Sequence, residues 1–177
     1  MTVDTPKQIV FQIRRMAREA AKRSADSAML SSTIAGAGSD SAYLLELLAF
    51  ELLLKATLLI YKVKPPAIHS YARLVALLPP EVQSRLRDAA ASRVGPDVDF
   101  SGFDSVLDTW GENFVSLRYP YEKYEGLTEE QYRARGEAWL KNGADESAAD
   151  FVYYPEQLHA FIYALRTEVD TWLSSRG

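Results

Sequence analysis

The chain of 177 residues contains no cysteine. Disulfides, thiolate metal sites and cysteine nucleophiles are therefore excluded, and the composition fits a reducing compartment such as the cytoplasm. Motif signatures are also missing: no Walker A loop, no glycine-rich dinucleotide turn and no Gly-x-Ser-x-Gly elbow occurs, so no cofactor is expected. Strand-type alternation of useful length, internal repeats and low-complexity tracts are absent. The first thirty residues lack the apolar segment of a secretory leader. Residues 42–61 form the one apolar run of membrane-spanning length, and they carry Glu46, Glu51 and Lys55. Three charges are too costly for a lone lipid-facing span, so no membrane helix is expected. A formal charge of −4 gives no global nucleic-acid footprint.

Helical periodicity dominates the chain. Ile9, Ile13, Met16 and Ala20 recur at three- and four-residue spacing and predict an amphipathic helix over about 6–30, with Arg14, Arg18 and Lys22 on another face. Residues 31–39, with Gly36 and Gly38, read as a loop, and Asp40 or Ser41 is suited to cap the second helix. Leucines at 44, 45, 47, 48, 52, 53, 54, 58 and 59 make that helix, about 41–63, apolar nearly all round. It should be the central element, ended by Pro65 and Pro66. Short helices are predicted over about 69–78 and 80–93. A fifth, 103–118, carries the stripe Phe103, Val106, Leu107, Trp110, Phe114 and Leu117. Thr128 to Gln131 has the form of a capping box for a helix to about 140, which Asn142 and Gly143 terminate. A last helix spans about 155–173. The expectation is one all-α domain over 1–177, an antiparallel bundle of five to six helices with its core in about 40–175.

Several polar residues stand out. Glu51 and Lys55 lie four apart and face the same side of the central helix, as an ion pair or as the base of an anion site. His69 comes after the Pro-Pro break, where it is suited to hydrogen-bond a neighbouring helix or to meet a ligand. Arg118 closes the fifth helix, suited to pair with Glu51 or to grip phosphate in bidentate fashion. Six of the ten tyrosines, among them Tyr119, Tyr121 and Tyr124, crowd into residues 119–154. This segment reads as an insertion that forms an aromatic lid over one end of the bundle, or a stacking or protein-binding surface. Its charge opposes nucleic acid, with six acids against three bases from Thr128 to Asp150. The basic stripe of the first helix reads as a solvated face or a modest phosphate-binding patch. Glu156-Gln157-Leu158-His159 has the spacing of a di-iron ligand pair but no second copy, so no metal is expected.

Three segments taken in order resemble the HEPN family. They are Leu48-Ala49-Phe50-Glu51-Leu52-Leu53-Leu54-Lys55-Ala56, then His69-Ser70-Tyr71-Ala72-Arg73-Leu74, then Phe114-Val115-Ser116-Leu117-Arg118-Tyr119-Pro120-Tyr121-Glu122. The resemblance covers roughly residues 40 to 125. It implies an antiparallel helical bundle, often a homodimer. Catalytic members are metal-independent RNases marked by an arginine, a polar neighbour, and a histidine that follows the arginine after four to six intervening residues. Arg118 matches the arginine; Tyr119 takes the polar place, and Lys123, Tyr124 and Glu125 stand where the histidine would fall. The resemblance therefore implies a non-catalytic module binding a nucleotide, RNA or a partner protein near Lys55, His69, Arg118, Tyr119 and Tyr121. The alternatives are a divergent RNase, the toxin of a pair with a nucleotidyltransferase-like antitoxin, in which Arg118 acts with His69 or Tyr124, and a purely structural interaction bundle.

Overall fold

The protein is described by a computed structural model that covers residues 5–33, 39–96 and 98–176. Its seven described α-helices are α1 (Pro6–Thr33), α2 (Asp40–Ile60), α3 (Tyr71–Ala76), α4 (Pro80–Val94), α5 (Phe103–Ser116), α6 (Glu129–Lys141) and α7 (Pro155–Ser174). Single 3-10 turns occupy Pro120–Tyr124 and Glu146–Ala148. No strand occurs among the described residues. The chain is an all-α bundle: each helix named from sequence forms, and with the short α3 and the peripheral α6 the described helices number one more than the five to six expected of the bundle. The loop glycines Gly36 and Gly38 lie outside the described residues. None of the described helices is long and apolar enough to cross a membrane.

Helix α2 is the axis of the bundle, as its all-round apolar sequence requires. Helix α1 packs along it, and α7 packs against both α2 and α4. Leu47, Ala49, Phe50, Leu53, Leu54, Ala56 and Leu58 of α2 are wholly buried. Phe50 sits at the aromatic centre, edge-on to Tyr71 at 5.1 Å, Trp110 at 5.2 Å and Phe161 at 5.9 Å. Each such pair adds about 0.5–1.5 kcal/mol to the gain from burial, and together they fix α3, α5 and α7 around α2.

The ends of α2 differ from expectation in an informative way. Its N-cap is Ser39, whose hydroxyl accepts the Ala42 N–H at 3.4 Å, one residue before the expected Asp40 or Ser41. It stops at Ile60, ahead of the two prolines. Lys62 adopts φ 60°, and its N–H bonds to Leu59 O while the Val63 N–H reaches back to Leu58 O. This is a Schellman closure with lysine in the place usually taken by glycine, at a cost of about 1 kcal/mol. The turn sends the chain back toward the middle of the bundle, where α3 packs on α5.

The tyrosine-rich segment is not a lid over the core. Helix α6 has the expected Thr128–Gln131 capping box, but not one of its residues is buried. The segment packs on itself: Tyr124 meets Tyr132 edge-on at 4.8 Å, Trp139 donates its ring N–H to Asp145 O, and Arg135 pairs with Asp150. Its return is tied to the bundle by the Asn113 amide, which donates to Val152 O at 2.8 Å, and by Tyr153, which donates to Asp40.

Candidate functional site

The fold brings two of the residues singled out from sequence, Lys55 and His69, onto one carboxylate, that of Glu51. Glu51 is 5% exposed on α2. Its Oε1 accepts from Lys55 Nζ at 2.7 Å, the i,i+4 pair expected from spacing. Its Oε2 meets His69 Nδ1 at 2.8 Å. His69 belongs to the chain between α2 and α3; α3 starts two residues later, with Ser70 at its N-cap. That chain runs close against α5 at Gly111, where a Cβ would lie 3.4 Å from His69 O. An ionised carboxylate only accepts, so Nδ1 carries a hydrogen and donates it to Glu51. The imidazole is about half exposed, so Nε2 remains free for a ligand.

Phe114 of α5 joins this group to Arg118. Its ring lies 5.2 Å from that of His69, and the Arg118 guanidinium sits 4.7 Å over its centre. Helix α5 ends at Ser116 with Leu117 as its cap, so Arg118 stands just beyond the helix and is exposed. The Arg118–Glu51 pair offered by the sequence does not form; the carboxylate is engaged by Lys55 and His69. Arg118 has no acidic partner among the described residues. Its guanidinium is held by the Phe114 face, a contact of about 0.5–1 kcal/mol at an exposed position.

Tyr71 forms the floor. It is fully buried and donates to Leu47 O at 3.2 Å. Burial pushes its phenol well above the ordinary tyrosine value, the negative charge of Glu51 adds to this, and the positive charge of Arg118 opposes it. The three polar groups thus share one electrostatic environment. Beside His69 a groove runs between the start of α3 and α5, lined on the α5 side by Asp108, Gly111 and Glu112.

Other residues named from sequence lie in different surroundings. Tyr119 and Tyr121 are exposed and edge-on to each other at 6.3 Å. Tyr124 belongs to the α6 excursion. Its phenol is pushed up to about 12, first by burial and then by its bond to Asp150, so it does not serve as a base near neutral pH. Sequence reasoning did not assign Phe114 and Tyr71 to the site. The signal for Phe114 was its four-residue spacing from Arg118; Tyr71 gave none, because its role depends on how α3 docks. Among the described residues no group of three or more metal-ligating side chains lies together. Compared with protein-family models, curated proteins and solved structures, the chain matches none significantly.

Proposed function

We propose that this is a non-catalytic, HEPN-like binding module of the cytoplasm, working as a homodimer, whose Lys55–His69–Arg118 cluster binds an anionic group. A nucleotide or the phosphate of RNA fits best. One observation carries the reading: Arg118 is an exposed guanidinium with no acidic partner among the described residues, braced on Phe114 beside the half-exposed His69 ring. Lys55 and Arg118 against Glu51 leave one formal positive charge at the cluster. The acids Asp108 and Glu112 oppose an anion within the neighbouring groove, so the Arg118 side is where it enters. Exposed Tyr119 and Tyr121 come directly after and offer aromatic surface to a base or a partner protein. Titration calorimetry with ATP and with a short single-stranded RNA tests this. Arg118→Ala should weaken binding at least tenfold, the scale of one charge-assisted contact. Equal binding by wild type, Arg118→Ala and Lys55→Ala would remove the site.

A second reading is favoured by the Glu51–His69 contact. A carboxylate that orients an imidazole through Nδ1 leaves Nε2 as a general base, the arrangement hydrolytic sites use to move a proton. With Arg118 stabilising charge on phosphorus, this would make a metal-independent RNase. In that reading the chain is the toxin of a pair, and a nucleotidyltransferase-like antitoxin is its partner. RNA cleavage lost in both His69→Ala and Arg118→Ala would establish it. Intact RNA after long incubation with wild-type protein would leave the binding reading.

A further inference from the structure

Helix α1 contributes to the core through one face only. Its buried positions include Ile13, Ala20 and Ser27. At 3.6 residues per turn, Lys7, Phe11, Arg14, Arg15, Arg18 and Lys22 fall within one arc of about 100°, roughly opposite Ile13 and Ala20. All six are exposed. None of the five cations has an ion-pair partner among the described residues. The two acids of α1 are Glu19 and Asp26, and both engage Arg23 at the margin of this face. A protein of net charge −4 therefore carries an unbroken cationic track along one helix. From Lys7 to Lys22 it runs about 22 Å at 1.5 Å per residue.

The track has an aromatic residue within it. Phe11 is 65% exposed between Lys7 and Arg14. It also lines a groove of about 590 Å³ where α1 meets the end of α7, together with Lys7, Val10, Arg14 and Arg176, and no acid among the described residues lines it. Arg176 is held against Trp172, with its guanidinium 4.4 Å over the ring. Cations spaced along a line, an exposed ring among them and an open groove beside that ring are what a single nucleic-acid strand requires: phosphates on the cations, a base stacked on the ring. An anionic membrane surface would need an apolar helix face to insert, and the apolar face of α1 is already in the core.

We propose that this face of α1 binds single-stranded nucleic acid through its phosphodiester backbone, with Phe11 stacking a base, independently of the Glu51 cluster. The test is fluorescence anisotropy of a labelled single-stranded RNA of about twelve nucleotides against the full chain, over a range of salt concentrations. Five phosphate contacts on a single strand predict a slope of log affinity against log salt of about −3.5, a weakening of roughly 100-fold from 50 to 200 mM. The triple variant Lys7→Gln, Arg14→Gln, Arg18→Gln should cut the slope to about −1.4, and Phe11→Ala should weaken binding about tenfold. All four positions are exposed, and circular dichroism checks that each variant folds. The triple variant leaves ATP binding at the Glu51 cluster unchanged in calorimetry, so failure here and failure of the Glu51 site are separable. Wild-type affinity in the triple variant overturns the proposal. So does sedimentation of the protein with phosphatidylserine vesicles in the absence of any oligonucleotide binding.

Discussion

Removing the charge at Glu51 should destabilise the protein through Lys55, and a double-mutant cycle should show the coupling. The two side chains are 6% and 16% exposed and meet at 2.7 Å. At an effective dielectric of about 20, a unit charge pair at that distance attracts by about 6 kcal/mol, most of it offset by the cost of taking both ions out of water. Breaking a buried pair from one side costs about 3–5 kcal/mol when the remaining charge is trapped. Here Lys55 reaches water by bending its stem, so the expected cost is about 2–3 kcal/mol for Glu51→Gln and a similar amount for Lys55→Met. For a chain of this size that lowers the melting temperature by roughly 4–10 °C. In the double variant no charge is left stranded, so its cost should fall short of the sum by at least about 1 kcal/mol. Urea unfolding followed by tryptophan fluorescence reads all four proteins, since Trp110 is fully buried. Additive effects within about 0.5 kcal/mol would refute the coupling.

Two further outcomes rest on the same geometry. Burial pushes the Tyr43 phenol up to about 12 from an ordinary value of 10, so the unfolded chain loses this proton first as pH rises. The stability held by Tyr43 is then complete below pH 10 and is lost as pH climbs toward 12, at up to about 1.4 kcal/mol per pH unit. Tyr43→Phe should flatten the fall in urea midpoint between pH 9.5 and 11.5 by about that much; an unchanged slope would show that the phenol is not desolvated. For α6, Thr128→Ala removes the capping box and costs the helix about 1 kcal/mol, so hydrogen exchange over 129–141 should speed up roughly fivefold. Because α6 buries nothing, the global unfolding midpoint should stay fixed, and a drop of several degrees would show that α6 supports the core.

The helices were readable because their signals are local. Apolar spacing marked α2 as the axis, and Thr128 with Gln131 marked the start of α6. The Glu51–Lys55 pair was also readable, because i,i+4 neighbours on a helix meet whatever the tertiary fold. The other half of the cluster was not. The contact of His69 with Glu51 spans eighteen residues and depends on a left-handed turn at Lys62, where glycine is the usual residue, and on close approach to Gly111. The position of Arg118 over the Phe114 face rather than at Glu51 is likewise a matter of tertiary placement, which spacing along the chain does not set. The tyrosine-rich segment misled because aromatic content suggests burial, while its rings pair with one another on an exposed excursion.

Imidazole nitrogen resonances test the central claim most directly, and two histidines make the spectrum simple to assign. In ¹⁵N-labelled protein, long-range proton–nitrogen correlation should show His69 with its hydrogen on Nδ1, as the Glu51 contact requires. Adding ATP should shift the His69 Nε2 resonance in wild type, leave it in place in Arg118→Ala, and leave His159 unmoved in both. Hydrogen on Nε2 of His69 with none on Nδ1, or an Nε2 resonance indifferent to ATP in the wild-type protein, would contradict an anion site built on Glu51, Lys55, His69 and Arg118.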